Sequence, residues 1–217
     1  MKKISLIIFI ASILLTCKYS YAETIVDDFT GQNIDWVLDN DHWKFKIEPG
    51  KMIVENTSPN VFGQIGRGLL VGGDNALDMH ASPMRMVAYG LYDASLPFSI
   101  KIDITVLKRK NGNELGIVFD YKDSENYSAF YIKDKKLCFH RIVDKKVVQQ
   151  KETKIEWGKS KKKLMNWEVK SDDDKLIFFN NGYPEMEIKG FEMENSTCGL
   201  YLNRAQKIQI SKVEISQ

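Results

Sequence analysis

What this chain lacks narrows it quickly. Nowhere do apolar residues recur every three or four positions over three helical turns, so helical bundles and helix-covered parallel sheets are excluded. Cysteine is scarce, three in 217 residues, which excludes a miniature scaffold stapled by disulfides. Histidine is as scarce: His42, His80 and His140 are the only three, and none stands in a nucleophile motif or at zinc-ligand spacing. There is no internal repeat and no linker-like segment. No apolar run reaches the roughly 20 residues that span a bilayer, so no membrane span is expected. A charge excess is missing too. The chain has 31 basic and 29 acidic residues, and the first 22 positions hold Lys2, Lys3 and Lys18 but no acid. Residues 23–217 therefore carry 28 against 29, and nucleic acid is not an expected partner.

Residues 1–22 read MKKISLIIFIASILLTCKYSYA. A lysine pair, an apolar core from Ile4 to Leu15 and the small residues Ser20 and Ala22 predict a secretory signal peptide. The mature chain is expected to be exported, to a bacterial periplasm or beyond it. An alternative stays open at Leu14-Leu15-Thr16-Cys17, which resembles a lipoprotein cleavage box with a poor residue before the cysteine. The remaining stretch, 23–217, is the size of one ordinary domain. Cys138 and Cys198 each sit inside a strand-like run, and both a disulfide and two buried thiols fit that context.

What is present is alternation. Phe98, Ile100, Ile102, Ile104 and Val106 interleave with Ser99, Lys101, Asp103 and Thr105, predicting a long half-buried strand. Gly116–Ile132, GIVFDYKDSENYSAFYI, holds two such runs around the polar segment Lys122–Asn126, an antiparallel hairpin. Another hairpin is expected around Asp144-Lys145, and Asn181-Gly182 supplies the turn chemistry that suits strand twist. Near the C-terminus the apolar phase slips between Ile210 and Val213, which predicts a β-bulge. Strands at this spacing mean an all-β fold, a two-sheet antiparallel sandwich. Residues 61–92, rich in glycine from Gly63 to Gly73, read as an irregular insertion.

Several of these segments resemble one group of proteins. Asp27-Asp28-Phe29, Trp36, Trp43 and Gly50-Lys51-Met52-Ile53 resemble the opening of concanavalin A-like lectin/glucanase jelly rolls. Gly116–Ile132, Trp167-Glu168-Val169, Asn181-Gly182, Cys198-Gly199-Leu200-Tyr201 and Ile208–Ile215 follow in the order of that family. The likeness leans to its laminin G-like and 3-keto-disaccharide hydrolase-like branch of bacterial secreted proteins. It implies a jelly roll whose concave sheet binds or cleaves glycans, and it implies that Trp36, Trp43 and Trp167 pack in the core. Trp157 is not tied to the pattern. Calcium is the metal it implies, with Asp27, Asp28 and Asp123 as candidate ligands of no compelling spacing.

Catalytic machinery is harder to find. Glucanases of this fold place Glu-x-Asp-x-x-Glu on one strand, whereas Lys101-Ile102-Asp103-Ile104-Thr105-Val106 puts lysine and valine where the glutamates belong. Glu185 and Glu187 share a strand face without a partner in the sequence, and Cys138 and His140 are spaced to share one as well. Binding is the better expectation, because aromatic rings stack on sugar faces and planar polar groups take the hydroxyls. Ile117, Phe119 and Tyr121 are assigned to the core side by alternation, which sends Asp120 to the open face. Cys198 and Leu200 point inward, Tyr201 and Asn203 outward. Asp120, Tyr131, Tyr201, Asn203 and Arg204 are therefore the expected ligand-binding set, and a polysaccharide or oligosaccharide the expected partner. Two alternatives remain: a glycoside hydrolase of the keto-disaccharide type, and an envelope module that contacts a protein partner or serves structure.

Overall fold

Alternation in the sequence becomes strand pairing in the computed structural model, which describes residues 24–31, 34–38, 43–56, 84–109, 112–155, 164–172, 174–203 and 206–217. These residues form strands and no helix. The first five are β1 (Thr24–Asp27), β2 (Val37–Leu38), β3 (Trp43–Glu48), β4 (Lys51–Asn56) and β5 (Met84–Ala88). Next come β6 (Ser99–Lys108), β7 (Glu114–Asp123), β8 (Asn126–Lys133), β9 (Lys136–Val143) and β10 (Lys146–Lys154). The chain closes with β11 (Leu164–Asp172), β12 (Lys175–Asn180), β13 (Tyr183–Lys189), β14 (Cys198–Asn203) and β15 (Lys207–Ser216).

Two antiparallel sheets result. The first runs β13-β12-β11-β6-β15-β4-β3, with β1 also paired to β15, and the second runs β10-β9-β8-β7-β14-β5-β2. Chain neighbours pair as hairpins wherever the turn chemistry allows it. Asp144 and Lys145 both take positive φ, 49° and 66°, as do Asn181 and Gly182 at 52° and 81°. These are the mirror-image turns whose twist matches flanking strands. The bulge expected near the C-terminus is present, as a register shift of β15 against β6 between Ile210 and Lys212. A second bulge, between Val147 and Gln149, kinks the edge strand β10.

One core fills the space between the sheets. Ile100, Ile102 and Ile104 of β6 face Ile117, Phe119 and Phe130 across it, all fully buried. Trp167 joins this core and Trp36 closes its border, its indole Nε1 donating to Asp27 Oδ2 at 3.1 Å. The aromatic core pairs Phe119 with Phe130, ring centroids 5.6 Å apart. Apolar burial on this scale is the main driving force of a sheet pair.

One expectation changes. The stretch read as an irregular insertion, 61–92, contributes β5, which pairs with β14 and β2 in the second sheet. Met84–Ala88 was masked as a strand by the glycines before it, and Tyr92 stacks on Phe98 at 4.8 Å. The Gly63–Gly73 segment, Trp157, His42 and His80 lie outside the described residues. The cysteines are both free and buried. Cys198 belongs to the core between the sheets, whereas Cys138 stands two residues from His140 on the opposite face of the second sheet. No disulfide joins them.

Candidate functional site

The outer face of the second sheet is unlike an ordinary solvated sheet surface. Its floor is small: Gly116, Val118 and Gly199 stand opposite one another or adjacent across β7 and β14, with Ala129 beside them on β8. A side chain at Gly116 would collide with the backbone of Phe130 and Tyr131, so glycine is required there for the strands to approach. Tyrosines lie over this floor. Tyr121, Tyr127 and Tyr201 are buried, and together with Val87, Val118 and Ala129 they form a second apolar cluster, with Tyr131 packed against it.

The rings form a continuous series. Tyr89 meets Tyr121 at 6.5 Å between centroids, Tyr121 meets Tyr127 at 6.5 Å, and Tyr127 meets Tyr201 at 6.2 Å. Tyr201 then meets Tyr131 at 5.0 Å. His140 sits inside this group, 4.9 Å from Tyr131, 5.4 Å from Tyr127 and 5.5 Å from Tyr201. Such tilted and edge contacts are the arrangement that ring quadrupoles favour. Arg85 crosses the Tyr127 ring at 4.2 Å and donates to the Ser124 carbonyl. The middle of the face is thus filled by the protein's own rings, with Tyr201 only 2% exposed. Its ends are open: Tyr131 is half-buried, and Tyr89, two residues beyond the Val87 that pairs with Val37, is 55% exposed.

Beside Tyr131 lies a polar cluster. Glu114 Oε2 accepts from the Tyr201 hydroxyl and from Asn203 Nδ2, each at 3.1 Å, and Oε1 accepts from Lys133 Nζ at 2.9 Å. Gln206 Nε2 donates to the Glu114 carbonyl at 2.6 Å. Burial pushes the Glu114 carboxyl up, but the Lys133 and Asn203 hydrogen bonds, the Lys133 charge and the Tyr201 hydrogen bond outweigh it and hold the group below its ordinary value. The carboxylate stays charged and oriented.

Of the five expected ligand residues, Tyr131, Tyr201 and Asn203 do come together on this face. Asp120 does not. It takes a positive φ of 51° in a bulge that shifts the β7–β8 register between Phe119 and Asp123. The bulge adds a residue, so Tyr121 joins the outer cluster and Asp120 turns away. Asp120 is buried, and its Oδ1 accepts from the Glu194 and Asn195 amides and from Asn195 Nδ2. Arg141 reaches Oδ2 at 3.7 Å while stacking on Phe191. Asp120 therefore fastens the 191–197 loop, a structural role. Arg204 lies outside the described residues.

The weaker candidates resolve similarly. Cys138 and His140 share a face as their spacing implied, but they form no thiolate–imidazolium pair. Burial raises the thiol to about 11 and lowers the imidazole to about 4, so both stay neutral at ordinary pH. Glu187 lies on the edge strand β13, 3.6 Å from Lys189. Asp27, Asp28 and Asp123 are not assembled into one site: each accepts local turn or side-chain hydrogen bonds, Asp27 in the first sheet and Asp123 in the second. Tyr127 was missed, although it stands two residues before Ala129 and four before Tyr131 on the same alternation. Glu114 was not marked by any motif; only its pairing with Asn203 and Lys133 reveals it.

No family profile and no curated protein matches this chain. Solved structures do. The chain is similar to a Bacillus licheniformis β-glucanase, 10% identical, covering 91% of this chain and 100% of that one at a TM-score of 0.60. It is similar to a Bacillus subtilis protein of unknown function with a galectin-like fold, 7% identical over 88% and 94%, TM-score 0.60. The Emp47p carbohydrate recognition domain is 11% identical over 91% and 97%, TM-score 0.56. At such identities the likeness establishes the fold, a concanavalin A-like jelly roll of the lectin/glucanase type, as the sequence resemblance implied.

Proposed function

We propose that this chain is an exported carbohydrate-binding β-sandwich that holds a neutral sugar against Tyr131, at the open end of the ring series on the second sheet. One observation carries it. A half-buried tyrosine ring, braced by His140 and Tyr201 on its flanks, stands beside the oriented group Glu114–Asn203–Lys133. Stacking on a held ring supplies affinity at low entropic cost, and planar polar groups fixed by one another select hydroxyl positions. Glycan binding by the jelly rolls of the lectin/glucanase type supports the same assignment by analogy of fold. Glu114 is saturated by three donors and held charged, which suits orientation rather than proton transfer. The leader at residues 1–22 supports export.

A glycan array probed with the protein purified from exporting cells tests this. Retention of a neutral oligosaccharide is expected, with at least about tenfold weaker retention by Tyr131→Ala. Tyr201→Ala is unsuitable as the binding control because that ring is packed into the face. An array without any retained glycan overturns the proposal and favours the second reading, a protein contact at the other end, where Tyr89 and Val37 are exposed.

A further inference from the structure

His140 is the least explained residue of the outer face. Its side chain is nine-tenths buried, and its Nε2 has no hydrogen-bond partner among the described residues. A buried polar atom left unpaired costs on the order of 1–3 kcal/mol, so a sheet surface built for packing alone would carry phenylalanine here. The ring is gripped on three sides, by Tyr127, Tyr131 and Tyr201, at 4.9 to 5.5 Å. Of these three, Tyr127 and Tyr201 are buried and Tyr131 is half-buried. The polar groups nearby are committed elsewhere: Glu114 to Lys133, Tyr201 and Asn203, and Arg85 to the Tyr127 ring and the Ser124 carbonyl.

Resting on the sugar site placed at Tyr131, we propose that His140 is the specificity-determining residue of that site, its Nε2 meeting one hydroxyl of the sugar stacked on Tyr131. Tyr131 is the half-buried ring of the three, so a hydroxyl would approach the nitrogen from its side. The imidazole stays uncharged, because burial lowers it to about 4, so it exchanges a hydrogen bond with a hydroxyl rather than pairing with an anion. A site that offers a buried polar atom discriminates strongly against a ligand that leaves it unpaired. The ligand class is therefore a neutral hexose unit, distinguished from its epimers by the one hydroxyl that reaches His140.

The experiment uses neutral oligosaccharides of gluco, galacto and manno configuration with the full exported protein and with His140→Phe. Wild type is expected to rank the epimers, and His140→Phe to bind the preferred one about tenfold or more weakly and to lose the ranking. Titration of the preferred oligosaccharide into 15N-histidine-labelled wild type is expected to shift the His140 Nε2 resonance. An unchanged ranking in a folded His140→Phe protein overturns the assignment while leaving the Tyr131 site standing. If His140→Phe does not fold, the wild-type resonance decides: an unmoved Nε2 signal at saturation overturns it. Wild type that binds none of the three oligosaccharides removes the sugar site itself and this inference with it.

Discussion

The two outer faces of the sandwich are built from the same alternation and end up as opposites. On the first sheet the outward residues of β6, β11 and β15 are Lys101, Asp103, Asn166, Lys212 and Glu214. They satisfy one another near solvent: Asn166 donates to Asp103 at 2.7 Å, and Lys101 and Lys212 reach Glu214 at 3.3 and 2.6 Å. On the second sheet glycine, valine and alanine floor the outward side of β7, β8 and β14, tyrosines and His140 lie over them, and β7 is buried from Glu114 through Tyr121. Strands buried on both faces read as continuous apolar runs, commonly because helices cover them. Here tyrosines lying over a small-residue floor supply much of the cover. One face interacts with water and the other with itself, so the energetic consequences of a mutation should differ sharply between them.

The largest effect belongs to Tyr201→Ala. Truncating a ring that is 2% exposed opens a cavity and deprives Glu114 of a donor, an expected loss of about 3–5 kcal/mol in urea unfolding. A loss under about 1 kcal/mol would erase the distinction between the two faces. A pH titration of stability sharpens it next. His140 faces Arg85, Tyr127, Tyr131, Tyr201 and Glu114, with Cys138 two residues away and Gln150 opposite on β10. Its folded value, about 4, lies below the ordinary 6.5. The unfolded chain therefore binds the proton first, and stability should decline as pH falls from 6.5 towards 4, with a slope of up to about 1.4 kcal/mol per unit. His140→Phe should flatten that window. Glu114 and Glu214, both held below their ordinary values, contribute stability that is lost only at lower pH. The smallest effect is expected at Lys101→Ala on the first sheet, within about 0.5 kcal/mol, since its ion pair is partly exposed and screened.

Much of the architecture was legible in the sequence because inward positions repeat every second residue. The long strand from Ser99, the C-terminal bulge and the inward direction of Cys198 and Leu200 follow from that period, and the Asn181-Gly182 turn from its own turn chemistry. Asp120 was not legible. A single bulged residue inverts the assignment of Asp120 and Tyr121, and nothing in Phe119-Asp120-Tyr121 announces where it falls. Glu114 was hidden for another reason: its partners come from two other strands, Lys133 from β8 and Tyr201 and Asn203 from β14, and only pairing register unites them. β5 was concealed by the glycines that precede it.

The bulged border strand β10 has a consequence for how copies of the chain meet. It ends its sheet with no strand beyond it among the described residues, and carries the exposed Val147 and Val148. Such a rim invites other chains to add on, layer upon layer. The bulge after Val147 breaks the flat template, and Lys146, Lys151 and Lys154 set like charges along it. Copies crowding together therefore repel along this rim, and replacing those lysines with threonine removes that guard.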